Sequence, residues 1–177
     1  AVVGTQTSCL FAGGSSGNPS PENSGFTRED KNELWNGYVW TESADLNSGR
    51  SDLGGAGASN TAAIVNGGKA PLINPPGGLL DRTESWNGSS WTEVADLNTA
   101  REHVATVGTQ TAALGSGGQA SPGPVGLVES WNGSAWTEVN DLNLARTQSG
   151  VCGIQTSALV FGGTPPNTTS VEEWNGT

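Results

Sequence analysis

The phrase "ESWNGSSWTEVADLNTAR" at residues 84–101 returns as "ESWNGSAWTEVNDLNLAR" at residues 129–146, with three of eighteen positions changed. A related copy, "ELWNGYVWTESADLNSGR", occupies residues 33–50, and "VEEWNGT" closes the sequence at Thr177. A segment written this many times is a building part, because a unique active centre is needed only once. The first Trp of each copy falls at Trp35, Trp86, Trp131 and Trp174, giving periods of 51, 45 and 43 residues. That spacing suits propeller blades of about four strands each. A second phrase lies between the copies and ends each time in a glycine pair: Gly13 and Gly14, Gly67 and Gly68, Gly117 and Gly118, Gly162 and Gly163.

Together the two phrases predict four short strands per unit. In the third unit these are residues 103–108, 112–117, 127–131 and 135–139, with a "TQT" corner after the first and an Asn-Gly hairpin after the third. Asn-Gly favours a type I′ turn, with positive φ at both central residues. Such a turn sets Trp131 opposite Ser134 and leaves Trp136 on the same face, so the two indoles pack together. The inner strands are built of Ala, Gly, Val, Ser and Thr, which suits a crowded axis, and the Trp pairs suit the wider outer spaces. The expectation is therefore all-β, with blade-like units at 1–47, 48–98, 99–143 and 144–177, the last lacking its outer strand. That strand is expected from a longer parent chain or a neighbouring copy.

Composition agrees with an array. Only 33% of the 177 residues are apolar, 27 are Gly and Met is absent, so no amphipathic helix or membrane span can be drawn. The formal charge of −10, with seven basic residues spread singly, repels a phosphate backbone. Nucleic acid and membrane insertion are accordingly set aside as partners. Cys9 and Cys152 are too few for a disulfide scaffold. A closed ring of four units would bring them within bridging distance, whereas a larger ring, the favoured expectation, leaves both reduced and buried.

A hydrophobic strand ending in Gly-Gly, a variable loop, an aromatic, a tight turn and a Trp together resemble the kelch motif over essentially the whole chain. The eight glycines above match its diglycine, Trp35, Trp86, Trp131 and Trp174 stand where kelch usually has Tyr, and Trp40, Trp91 and Trp136 match its Trp. Arg50, Arg101 and Arg146 match the Arg often found at the start of the next inner strand. Two departures are the Trp-for-Tyr exchange and the four residues between the aromatics, where kelch has six. The wording is also similar to kelch-like repeat proteins of marine bacteriophages and environmental bacteria. That resemblance implies a virion or extracellular surface component, without cofactor or catalysis.

Enzymatic chemistry finds little material. A copper radical centre of the galactose oxidase kind needs Tyr and His ligands together, and the chain has one Tyr, Tyr38, and one His, His103. The arginines sit at equivalent repeat positions and not in one cluster. Glu42, Glu93 and Glu138, with Asp45, Asp96 and Asp141, offer oxygen ligands for calcium, but no "DxDxDG" loop is present. Pairing with the repeated Arg, or turn capping, is the plainer reading. Asn87, Asn132, Asn167 and Asn175 satisfy the N-glycosylation pattern, although three of them are already explained by the hairpin. The Trp pairs are read as inter-unit core, with sugar stacking as the alternative.

Variation points to the contact surface. Between the glycine pair and the next Trp the lengths fall from 20 to 17, 12 and 10 residues. The two longest loops hold Phe26 and the run containing Pro71, Leu72, Ile73, Pro75 and Pro76, which nominates them for contact with another protein. The expected function is a structural or adhesive module, with other copies or a parent chain completing the ring. A glycan-binding propeller is the alternative and an enzyme the distant third.

Overall fold

The computed structural model describes residues 1–17, 27–71 and 78–177. The described residues form no helix; they build four antiparallel sheets, consistent with the blades of a propeller. The first sheet comprises β1 (Val2–Thr5), β2 (Ser8–Ser16), β3 (Thr27–Trp35) and β4 (Trp40–Ser43). The second comprises β5 (Gly54–Ser59), β6 (Ala62–Asn66), β7 (Thr83–Trp86) and β8 (Trp91–Val94). The third comprises β9 (Ala105–Thr109), β10 (Ala112–Ser116), β11 (Val128–Trp131) and β12 (Trp136–Glu138). The fourth holds β13 (Gly150–Ile154), β14 (Ser157–Phe161) and β15 (Val171–Trp174), with β15 at its edge. Each sheet is a meander in chain order. The third unit's strands lie within one or two residues of the ranges its turn signals predict.

Successive units pack through their innermost strands, β5 against β1, β9 against β5 and β13 against β9. Residues from all four, including Val2, Gly55, Thr106 and Val151, line one shared depression of about 300 Å³. Among the described residues the core is three separate clusters, one between each pair of neighbours. No cluster joins unit 1 to unit 4 among the described residues.

The hairpin departs from the expected turn. Gly37, Gly88, Gly133 and Gly176 adopt φ of +94°, +94°, +95° and +90°, but none of the preceding asparagines has positive φ. Only the first central residue is inverted, the φ pattern of the II′ class rather than I′. Each Asn instead caps the turn from outside: the Asn132 Oδ1 accepts from the amides of Ser134 at 2.9 Å and Ala135 at 3.0 Å. The register moves accordingly, and Trp131 lies opposite Trp136, not Ser134. The two rings sit 5.4 Å apart at 43°, a tilted contact.

Candidate functional site

The joint between units is the most elaborated place in the molecule, and it is built three times from the same residues. Arg50, Arg101 and Arg146, which open units 2, 3 and 4, are buried, and each reaches a Glu two residues before the first Trp of its own unit. Arg50 donates to Glu84 at 2.8 Å, Arg101 to Glu129 at 2.9 Å, and Arg146 to Glu172. The same carboxylates accept from the Asn of "DLN": Asn47 through both nitrogens at 2.8 Å, Asn98 at 2.8 and 2.7 Å, Asn143 at 2.6 and 2.9 Å. Burial lowers the pKa of the Arg50 and Arg101 guanidinium groups, and the carboxylates of Glu84 and Glu129 oppose that shift. At Glu172 burial works against the charge, yet the amide and side chain of Asn143, with Arg146, hold the carboxyl below its ordinary value.

The acids singled out from the sequence do other work. Asp96 accepts from the Thr83 amide at 3.0 Å and Asp141 from the Val128 amide at 3.2 Å, pinning the start of the third strand. Asp45 and Glu42 hold Lys31 at the surface, at 2.9 and 3.5 Å. The arginines thus pair with Glu84, Glu129 and Glu172 rather than with the expected Glu42, Glu93, Glu138 or the Asp residues. Their signal was present, since a Glu stands two before the first Trp in every copy.

The glycine pairs make room for this joint. Gly14, Gly68 and Gly118 donate to the carbonyls of Arg50, Arg101 and Arg146 at 2.8, 2.9 and 2.9 Å. A Cβ at Gly117, where φ is +61°, would stand 2.6 Å from the Arg146 carbonyl oxygen, so only glycine allows the approach. A second tie runs through the corner: Gln110 and Gln155 donate to the carbonyls of Trp86 and Trp131 in the preceding unit, both at 2.6 Å. Asn60 does the same to Trp35 at 2.9 Å. Each corner carbonyl in turn accepts from the indole of its own unit, as Gln110 does from Trp131 at 2.9 Å.

Burial of the Trp pairs follows from this arrangement. Trp86, Trp91, Trp131 and Trp136 pack into the clusters shared with the preceding unit. In unit 1 the expectation of core fails: Trp35 is half-buried and Trp40 is 45% exposed, against 6% for Trp91 and Trp136. Among the described residues no unit packs on that side. Phe11 is also exposed there, and Cys9, opposite Trp35, is half-buried. At the other end Leu159, Phe161 and Cys152 are exposed, and Trp174 is half-buried against unit 3. The cysteines are free, but the expectation that both are buried is not met, because each lies on an open end face.

Pro71 is half-buried, while Phe26, Leu72, Ile73, Pro75 and Pro76 lie outside the described residues. Asn87, Asn132, Asn167 and Asn175 are all exposed. Among the described residues no group of three or more His, Cys, Asp or Glu side chains is placed to hold a metal ion. No helix is long and apolar enough to cross a membrane among them. The chain matches no protein-family model and no curated protein.

Proposed function

We propose that this chain is part of a kelch-like β-propeller and serves as a non-enzymatic structural or adhesive module of a virion or extracellular surface, acting through protein contacts at its open end faces. The observation that carries this reading is continuity. The face of unit 1 with Trp35, Trp40 and Phe11 is built like the faces that units 2 and 3 bury, and the face with Leu159 and Phe161 is built like those they pack against. Apolar surface of this kind marks a contact site.

A second copy docked head to tail would extend the array, and two copies of four units make eight, within the range of propellers. The cysteines supply the test. The positions equivalent to Cys152 and Cys9 share a cluster at every internal joint: Val3 with Ala63, Ala56 with Ala113, and Val107 with Ala158. Diamide oxidation should link Cys152 of one copy to Cys9 of another, and Cys9→Ser or Cys152→Ser should each prevent it. A monomer by sedimentation, without crosslinks, overturns the reading. Glycan recognition is the second reading, favoured by the exposed indole of Trp40. Specific glycan binding lost in Trp40→Ala, with no self-association, would select it.

A further inference from the structure

A groove of about 360 Å³ lies on the loop rim at the joint of units 2 and 3, each of which packs against a further unit on its other side. The residue after the glycine pair and the residue after the repeated Arg meet there: Lys69 of unit 2 and Glu102 of unit 3. At the joints on either side the same positions hold Ser15 with Ser51, and Gln119 with Thr147, all uncharged. Glu102 is 8% exposed, yet its carboxylate accepts no hydrogen bond among the described residues. The Lys69 Nζ stands 3.6 Å away, beyond a good hydrogen bond. The adjacent His103 is engaged with Asp52 at 3.4 Å. A carboxylate so far withdrawn from water costs stability unless donors reach it, so this one calls for donors from outside the chain. We propose that the groove binds a neutral sugar residue, with Glu102 accepting from two adjacent hydroxyls and Lys69 donating to a ring or hydroxyl oxygen.

Charge, backbone and shape each narrow the ligand class. Opposite charges 3.6 Å apart meet any ligand of net charge with one repulsive contact, whereas hydroxyl groups both donate and accept and so satisfy the two together. A peptide main chain would find few open partners. The amides of Lys69, Gln119 and Ala120 already donate to the carbonyls of Ser51, Glu102 and Gly123, at 2.8, 2.8 and 3.0 Å. Recognition is therefore left to side chains. Gln119 donates from its side chain to the Ala120 carbonyl at 3.2 Å and keeps its side-chain oxygen as a further acceptor. Leu79, Ala120 and Pro122 give the groove an apolar flank for the C–H face of a sugar ring. Its volume falls at the lower end of small-molecule sites, which suits a monosaccharide unit.

The groove is separate from the end faces, whose assembly is read by mass, and from the indole of Trp40. The probes are the methyl glycosides of glucose, galactose, mannose and N-acetylglucosamine, titrated into the full chain and followed by amide chemical shifts. At least one should move the amides of Lys69, Leu79, Gln119 and Ala120 at millimolar concentration. Glu102→Gln should weaken that glycoside about tenfold. Lys69→Met should weaken it by a smaller factor, and Trp40→Ala should leave it unchanged. Because Glu102 has no hydrogen bond to lose and Lys69, 34% exposed, stays solvated, Glu102→Gln should melt at or above the wild-type temperature. A melting temperature several degrees lower would show a structural ion pair and overturn the proposal. So would the absence of shifts with every glycoside, binding that survives Glu102→Gln, or tighter binding of acetyl-arginine amide than of any glycoside.

Discussion

The Trp pairs of units 1 and 3 have nearly the same geometry and opposite surroundings. Trp35 and Trp40 sit 5.4 Å apart at 39°, and Trp131 and Trp136 sit 5.4 Å apart at 43°. Each first Trp also donates to its own corner carbonyl at 2.9 Å. Yet Trp131 is 1% exposed, while Trp40 stands 45% exposed. The hairpin and its register set the pair locally; the neighbouring unit alone decides whether the pair is core or surface. Repeat proteins divide their stability in this way, into terms within a unit and terms between neighbours.

The sharpest way to break the comparison is to delete the same indole in both places. Trp131→Ala removes a fully buried ring and should cost about 3–5 kcal/mol. Trp35→Ala removes a half-exposed ring that no described unit covers and should cost well under half as much. Chemical denaturation of the two variants measures both. Equal losses would mean that unit 1's face is covered in solution, and dilution of the wild type would then expose a concentration-dependent melting temperature.

The electrostatic counterpart comes next in size. Glu129→Ala strands the buried Arg101 and should cost about 3 kcal/mol, the lower end for breaking a buried pair. Glu33→Ala, at the equivalent position of unit 1, should be nearly silent, because Glu33 is exposed. A large loss at Glu33 would reveal an arginine from another unit or copy bound there.

How much of this was legible differs between the within-unit and between-unit levels. Strand positions, meander order and the Trp pairing follow from turn residues and alternation, which act over a few residues. The turn class did not follow, because Asn-Gly supports I′ only when Asn itself takes positive φ, and here its side chain caps the turn instead. The joint was half legible. The repeated Arg is visible in the sequence, but the acids after the second Trp offer themselves as its partners equally well. The Glu that pairs lies 28 to 34 residues from its Arg in units 2 and 3, a separation that only the folding of the inner strands of the unit closes. The fate of Trp35, Trp40, Cys9 and Cys152 depends on what stands beyond the end units, which no local pattern encodes.

A smaller effect separates the turn from the joint. Gly133→Val places a β-branched residue at φ +95°, with its Cβ 3.3 Å from the Thr111 carbonyl oxygen. It should cost about 1 kcal/mol or somewhat more. Gly37→Val in unit 1 should cost nearly as much, since the strain is local and φ there is +94°. A loss confined to unit 3 would show that the hairpin depends on its neighbour, contrary to the comparison above.

The smallest expected effect is a pH dependence that marks unit 4 as intermediate between the two regimes. Glu172 receives the full set of donors from Asn143 and Arg146 but is only partly buried, at the open edge of the array. Its carboxyl lies below its ordinary value of 4.5. A carboxyl depressed by folding binds fewer protons in the folded state than in the unfolded one, so stability rises with pH through the interval between the two values. The contribution is complete above about pH 5 and is lost as pH falls through 4.5 and then through the lower folded value. Glu172→Gln removes the titration. The melting temperature gap between wild type and this variant should therefore stay constant from pH 7 to 5 and narrow below pH 4.5. A gap that does not narrow would mean that the carboxylate charge contributes nothing at this joint, and that neutral hydrogen bonds from Asn143 hold the last unit.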